Sequence, residues 1–456
     1  MRMPNARDMS DEQQDIFEDA PLDGRVLVTG PPGTGKTVIA FLRAMLLAKE
    51  NKKVDVIMYN RVLKRFAQNV GADSRNVSCS TFHSWFYNWW GNLRIENQDE
   101  ESAELIYLTT PFERRLEVKE KGARWDNNAR SWTATQAVIN RAPEVFAPWL
   151  PDPRGGTPIT RVNKATYDAP EIRKFKPDWD RLIDLYTDAE PEKQKGWGHL
   201  IIDEGQDFCN DTYKFLKYAS RVSESDSAIT VLADDNQRLG EENSTTTQIA
   251  DLLNIGEDRK FTLSRNFRNT RPIALLARKF YTGLPSGTPD LPDKKGNKPR
   301  LVCDANVQQQ VEYIARYLRL RGNHEVGVVL PDNKLREQFF SLLTGMLTNY
   351  TVQTYDSNDR STSDSLIFDR QGVVTVLNRQ SCKGLEFDVV FLPCLQDYEA
   401  EDTDSDTFKM NMYVMCSRAR NELIMMSETP AKSDAGAMKY LPVNEPELLE
   451  LISSRE

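Results

Sequence analysis

No apolar run in this chain of 456 residues reaches the length a membrane-spanning helix needs. The six cysteines, Cys79, Cys209, Cys303, Cys382, Cys394 and Cys416, are scattered. They form no CxxC pair, and no histidine stands at zinc-ligand spacing. That pattern argues against a disulfide framework or a zinc site and points to buried free thiols. Positive charge is in short supply too: 59 Lys and Arg against 68 Asp and Glu give a formal net charge of −9. This balance disfavours a wide basic face gripping duplex nucleic acid. It leaves room for a local basic groove that holds one strand. The segment Met1 to Asp19 is polar and acidic, unlike a secretory signal. A cytoplasmic protein without a membrane partner is expected.

Short β-rich apolar runs alternate with amphipathic stretches along most of the chain. The runs are Val26–Val28, Val54–Met58, Leu200–Ile202, Ile229–Leu232, Val326–Leu330, Val373–Leu377 and Val389–Leu392; the helical patterns include Val38–Lys49, Val311–Leu320 and Leu335–Leu347. Buried strands that alternate with helices predict parallel sheets covered on both faces. Residues 20–260 and 260–456 are each long enough for one such sheet. Residues 85 to 197 differ, because they hold all eight tryptophans and a proline-rich turn region, Pro143 to Pro158. We read this stretch as an insertion into the first sheet domain. Its tryptophans are expected mainly as the core of a small helical subdomain, with one or two as platforms for stacked bases. The sequence shows no internal repeat. The acidic run Glu399 to Asp406 reads as a solvated loop, and Glu445 to Ser453 as a short helical tail.

Two segments carry recognisable chemistry. Gly30-Pro31-Pro32-Gly33-Thr34-Gly35-Lys36-Thr37 fills every fixed position of the P-loop pattern, after a strand and before a helix. Glycines let backbone N–H groups curl around phosphates, and the helix N-terminus adds positive potential. Lys36 is placed to reach the β- and γ-phosphates of ATP, and Thr37 to hold Mg²⁺. The second segment, His199-Leu200-Ile201-Ile202-Asp203-Glu204, is an apolar strand ending in two carboxylates. Strand tips at the carboxyl edge of a parallel sheet are where such folds bind ligands. Asp203 is the candidate Mg²⁺ residue, and Glu204 the residue that orients or deprotonates the attacking water.

Together with Gly205-Gln206-Asp207 and further segments in the same order, these residues resemble the motif set of UvrD/Rep-like superfamily 1 helicases. The resemblance implies two RecA-like parallel-sheet domains in tandem, a P-loop NTPase of α/β class with a mainly helical, Trp-rich insertion in the first. The expected borders are 1–90 and 198–258 for the first domain, 91–197 for the insertion and 259–456 for the second domain. Gln13, in Ser10-Asp11-Glu12-Gln13-Gln14, is implied as the adenine reader. Thr81-Phe82-His83 and Tyr59-Asn60-Arg61 are implied to contact the strand. Gln237, in Ala233-Asp234-Asp235-Asn236-Gln237, is implied to sense the γ-phosphate. In Leu263-Ser264-Arg265-Asn266-Phe267-Arg268, Phe267 is implied to pack on adenine and Arg268 to touch the γ-phosphate. Glu386, in Lys383-Gly384-Leu385-Glu386-Phe387-Asp388, is implied near the ribose. Arg418, in Tyr413-Val414-Met415-Cys416-Ser417-Arg418-Ala419, is implied as the arginine finger.

The chain also departs from the resemblance. Relatives carry a long insertion before the fifth motif, where only Ser357 to Gln371 is left here. That puts processive unwinding in doubt and favours a compact translocase or a motor that needs a partner. No aromatic follows Gln237 in Arg238-Leu239-Gly240-Glu241-Glu242-Asn243, and Asn378 and Gln380 stand where threonine and histidine are frequent. Strand gripping therefore differs, with Trp85, Trp89, Trp90, Trp125 or Trp132 as candidate stacking platforms. No appended nuclease is expected after the sixth motif, so cleavage is expected to come from another protein.

The leading expectation is an ATP-dependent translocase or helicase on single-stranded DNA, of 3′→5′ polarity by resemblance, acting in DNA repair or antiphage defence with a protein partner such as a nuclease. An ATPase switch that gates a partner nuclease is the alternative, and RNA is the alternative strand. A kinase or small-molecule P-loop enzyme would leave the two arginine-bearing motifs unexplained.

Overall fold

The computed structural model describes residues 9–58, 76–97, 106–126, 130–150, 167–173, 176–222, 227–237, 243–283, 287–322, 324–355, 366–368, 370–398 and 405–453. The chain divides into two compact units, one of Met1–Phe82 with Gly196–Glu456 and one of His83–Lys195.

The larger unit holds two parallel α/β sheets. In the first, β1 (Arg25–Thr29), β2 (Val54–Met58) and β3 (Val77–Thr81) come from the N-terminal region; β9 (Gly198–Ile202), β10 (Ser227–Ala233) and β11 (Lys260–Thr262) come from beyond the insertion. The order is β11-β1-β10-β9-β2-β3, with every neighbouring pair parallel. The second sheet comprises β12 (Arg300–Cys303), β13 (Glu325–Leu330), β14 (Thr351–Thr354), β15 (Val373–Asn378), β16 (Phe387–Leu392), β17 (Ala419–Met426) and β18 (Glu450–Ser453). Its order is β14-β15-β13-β16-β17-β12-β18, again all parallel. The strand centres are runs of Val, Ile and Leu buried on both faces, as in Glu325–Leu330, where every residue is buried. One continuous apolar core joins the sheets: Val26, Val28 and Ile201 of the first belong to the same cluster as Leu301, Val329 and Phe387 of the second.

Helix α1 (Asp11–Asp19) starts with a reciprocal capping box, in which Ser10 accepts from Gln13 N and Gln13 accepts from Ser10 N. Helix α2 (Lys36–Lys49) follows the P-loop and is buried over most of its length. Its Arg43 is fully buried and donates to the carbonyls of Ala20 (2.9 Å) and Pro21 (2.5 Å), which ties the end of α1 to α2.

Three expectations are revised. The first sheet extends beyond residue 258, because β11 pairs with β1 in the register Leu27↔Lys260 to Thr29↔Thr262. The tail is a strand from Glu450 and not a helix, because β12 would otherwise present an open edge. Residues Glu450 to Ser453 pair with Arg300 to Cys303, and Pro442 and Pro446 interrupt any helix upstream. The insertion's unit begins at His83, earlier than residue 91.

Within the smaller unit, helices are joined by two small antiparallel sheets. One has the order β4-β6-β5, from β4 (Ile106–Leu108), β5 (Arg124–Asp126) and β6 (Ser131–Ala134); the other pairs β7 (Glu171–Arg173) with β8 (Lys176–Pro177). Helix Phe82–Leu93 supplies Trp85, Phe86, Trp89 and Trp90, which pack with Tyr186 of helix Trp179–Asp188. Trp85 and Trp89 stack at 5.8 Å. These rings form core, as expected for most of the tryptophans. Trp125 is 48 % exposed. Trp197 lies in the larger unit, where its indole N–H donates to Ala228 O at 3.3 Å.

Candidate nucleotide site

The site is assembled at the carboxyl ends of the first sheet's central strands. The pairs Thr29↔Ala233 and Val231↔Ile202 align the ends of β1, β10 and β9, so the loops after them meet. The P-loop turns on Gly33 (φ 88°) and Gly35 (φ 89°), conformations that L side chains rarely adopt. A Cβ at Gly33 would lie 2.6 Å from Asn266 Oδ1. Lys36 is buried and donates to the carbonyls of Gly30 (2.6 Å) and Pro31 (3.2 Å), with Asp234 Oδ2 at 3.4 Å. Thr34 Oγ1 closes the loop onto Pro31 O at 2.9 Å. Gln13, from α1, donates to Thr34 O at 2.9 Å while its other end accepts from Ser10 N at 3.1 Å.

Asp203 and Glu204 follow β9 and are both buried. Thr37 Oγ1 donates to Asp203 Oδ2 at 2.8 Å. Burial and the neighbouring charge of Glu204 push the Asp203 carboxyl up to about 7, against the pull of Thr37 and Lys36. Glu204 behaves oppositely. Burial alone would raise it, but Lys383, Lys36, Gln206 and Arg418 outweigh burial and hold it below the usual carboxylate range. Two adjacent carboxyls driven apart in this way give one site a stable carboxylate beside a protonatable partner. The Glu204 backbone is left-handed (φ 55°), an uncommon state for a non-glycine residue. The bend is fixed by Asp207 N donating to Glu204 O at 3.0 Å. Gln206 then bridges: its Nε2 donates to Glu204 Oε2 at 2.6 Å, and its Oε1 accepts from Asp234 N at 2.9 Å.

Cationic groups reach this corner from the second sheet. Arg418, just before β17, is buried and donates to Gln237 Oε1 at 2.8 Å. Gln237 Nε2 in turn donates to Asp234 Oδ2 at 2.8 Å. Lys383, before β16, forms a buried ion pair with Asp207 and donates to Gln237 O at 2.6 Å. Arg268 pairs with Glu386, and its Nε and Nη1 are buried without a hydrogen-bond partner. Burial would raise Glu386, but Arg268 and Arg420 outweigh it and hold the carboxyl at about 2. Phe267 N donates to Gly33 O at 2.9 Å, which sets its segment directly on the P-loop; the Phe267 ring is 41 % exposed beside the Arg265 guanidinium.

The structure thus gathers the P-loop residues, Gln13, Asp203, Glu204, Gln237, Arg268, Glu386, Phe267 and Arg418 around one corner. Gln13 spends its amide on Ser10 and Thr34, and Glu386 stands against arginines. Of the residues expected to touch a strand, Tyr59, Asn60 and Arg61 lie outside the described residues. Thr81 ends β3, and Phe82 is buried against Phe208 with ring centroids 5.2 Å apart. His83 starts the smaller unit, where its ring stacks on Tyr87. Lys383, Asp207, Gln206 and Asp234 lie within the motifs, and the structure turns them inward; apolar context and spacing do not reveal which polar residue of a motif does so. Among the described residues no group of three or more His, Cys, Asp or Glu could hold a metal by itself. Thr37 beside a raised, buried Asp203 fits a divalent ion that takes its remaining ligands from phosphate oxygens and water.

The bend after β9 recurs after β16. Cys394 occupies the place of Glu204, with φ 54°, and a 3-10 turn Leu395–Asp397 follows as Gly205–Asp207 does. Gln396 accepts from Ser427 Oγ (3.0 Å) and Glu428 N (3.1 Å) beyond β17, as Gln206 accepts from Asp234 beyond β10. The backbone carries a repeat that the sequence alone did not show.

A sequence family described as AAA domain matches residues 13–241. No curated protein matches the chain. Among solved structures, the chain is similar to the C-terminal domain of a possible DNA helicase from Lactobacillus plantarum WCFS1, at 19 % identity and a TM-score of 0.29, over 41 % of this chain and 98 % of that one. The P-loop, the two carboxylates after β9 and Gln237 all lie inside the matched half of the sequence, and the chain belongs to the AAA domain family.

Proposed function

We propose that the chain is an ATP-driven translocase on single-stranded DNA, with the 3′→5′ direction that its resemblance implies. The observation that carries this reading is the bond from Arg418, at the root of the second sheet, to Gln237 at the end of the first. A nucleotide site that draws on both sheets can convert phosphate chemistry into relative movement of those sheets. A single-sheet kinase would not need it.

In this reading the P-loop backbone and Lys36 bind the phosphates of ATP. Glu204, held ionised and fixed by Gln206, orients a water and accepts its proton as the water oxygen attacks the γ-phosphorus. The bond to the bridging oxygen breaks and ADP leaves with that electron pair. Arg268 and Arg418 stabilise the charge on the transferred group, a role commonly worth about 10³–10⁵ in rate. Arg268 has two nitrogens, Nε and Nη1, without a hydrogen-bond partner for this purpose. Mg²⁺ on Thr37 and Asp203 would neutralise phosphate charge. Gln237, bonded to both Asp234 and Arg418, is the group that feels the γ-phosphate and passes its state on.

The test is ATP turnover with single-stranded DNA, with RNA and with neither, for the native chain and Glu204→Gln. Stimulation by DNA in the native chain is expected, and so is a loss of about 10²–10⁴ in turnover for the variant with nucleotide binding retained. Turnover unchanged in Glu204→Gln would remove Glu204 from the mechanism. Turnover indifferent to any strand, yet raised by a second protein, would replace the motor with a switch.

A further inference from the structure

Helix α1 touches the site through Gln13, which holds Thr34 O, and through its neighbour Glu12. The Glu12 carboxylate accepts from Ser264 N (3.1 and 3.0 Å to its two oxygens), from Ser264 Oγ (2.5 Å) and from Arg265 N (3.2 Å). Three donors on one carboxylate make a charge-assisted clamp, stronger than neutral bonds of the same length. It closes over a sequence separation of about 250 residues, between the first turn of α1 and the segment after β11. Two residues further along that segment, Phe267 N is bonded to Gly33 O of the P-loop, and Asn266 Oδ1 receives the N–H groups of Arg268 and Asn269. Adjacent residues of one helical turn therefore hold two walls of the same site: Gln13 holds the P-loop at Thr34, and Glu12 holds the segment that presents Phe267 and Arg268.

We propose that Glu12 is a positioning residue that keeps the 264–268 segment seated against the P-loop before ATP arrives. The inference rests on the ATPase reading above. Its physical content is pre-organisation. With the clamp intact, the binding-competent arrangement is the populated one, and ATP spends none of its binding energy on seating the segment. Without it, the apparent affinity falls by the fraction of molecules still seated. Once ATP is bound the segment is seated regardless, so the chemical step proceeds as before. Ser264 Oγ also lies 3.2 Å from Asp290 Oδ2, and Asp290 N donates to Ser264 O at 2.8 Å. These contacts hold the segment from its far side and keep it folded when Glu12 is removed.

The experiment compares native chain, Glu12→Gln, Glu12→Ala and Ser264→Ala, with AMPPNP as the probe for equilibrium binding and ATP for turnover. For Glu12→Ala, a rise of about tenfold in both the AMPPNP dissociation constant and KM is expected, with kcat at saturating ATP within about threefold of native. Glu12→Gln should be intermediate, because its amide keeps one acceptor. Ser264→Ala should weaken binding by less, and its effect should largely vanish in the Glu12→Ala background. Should Glu12→Ala fail to fold, Glu12→Gln and Ser264→Ala still read the clamp. A native affinity in Glu12→Gln and Ser264→Ala, in a chain that turns over ATP, would overturn the proposal. So would a fall in kcat with KM unchanged. A native chain that neither binds AMPPNP nor hydrolyses ATP would instead refute the reading beneath it.

Discussion

Replacing Glu386 with glutamine tests the electrostatics of the site most directly, because the two side chains share a shape and differ in charge. Glu386 is 10 % exposed, paired with Arg268, and 3.5 Å from Arg420 Nε. Burial would lift its pKa, but the two guanidinium groups bring it from the ordinary 4.5 down to about 2. The folded state therefore binds this proton more weakly than the unfolded state. The resulting stability is fully present above pH 4.5 and is lost as pH falls through about 2. The difference amounts to about 3 kcal/mol at neutral pH. By pH 4 the unfolded group is largely protonated, and roughly 0.8 kcal/mol of that contribution has gone. Urea unfolding of native chain and Glu386→Gln at pH 7 and pH 4 measures both quantities. Titration of the other carboxylates is common to both proteins and cancels in the difference. The native chain should be more stable by about 3 kcal/mol at pH 7, and the gap should narrow by somewhat under 1 kcal/mol at pH 4. A gap that is small at pH 7, or identical at the two pH values, would show that Glu386 is not the charged partner of these arginines.

Gly35→Ala should lose about 2 kcal/mol of stability in urea, because φ is 89° and the new methyl would meet the Gln13 amide. Calorimetric titration with ATP should show a loss of more than tenfold in affinity; native binding would mean that the loop's left-handed turns are dispensable. The tryptophans divide by burial. Trp90→Ala, at a fully buried ring, should cost about 3–5 kcal/mol in unfolding. Trp125→Ala should cost less stability than Trp90→Ala, because its ring is half exposed and packs only edge-on against Trp132 (centroids 5.7 Å), and should weaken single-stranded oligonucleotide binding, read by anisotropy, by about 1–3 kcal/mol. An unchanged affinity in Trp125→Ala would end the role of this exposed ring as a base platform.

Much of the sheet architecture could be read from the sequence, because buried parallel strands are continuous apolar runs. Val326–Leu330 and Ile229–Leu232 are such runs, and both lie buried in strands. The P-loop was legible for a different reason: left-handed turns at Gly33 and Gly35 require residues without a Cβ, so geometry leaves a trace in composition. Three kinds of feature left none. The strand Glu450–Ser453 is decided by its partner β12, which lies some 150 residues away in sequence, and a four-residue segment has no periodicity of its own. The Glu12 clamp depends on a non-local pairing of one charge with two backbone N–H groups. Trp125 and Trp90 look alike in sequence, and only the fold decides which is exposed. The six cysteines, read as buried free thiols, are free; Cys303, Cys382, Cys394 and Cys416 are buried, whereas Cys79 and Cys209 are only partly so.

Because Cys394 takes up the same unfavourable torsion as Glu204, the chain carries its own control experiment. One half of the molecule carries the corner with a carboxylate and the other with a buried thiol. Whatever that corner costs is therefore met twice, once under a carboxylate and once under a thiol. Strain at this position belongs to the way a parallel strand hands its chain to the following turn. What differs between the two corners is the side chain and the groups around it, not the bend.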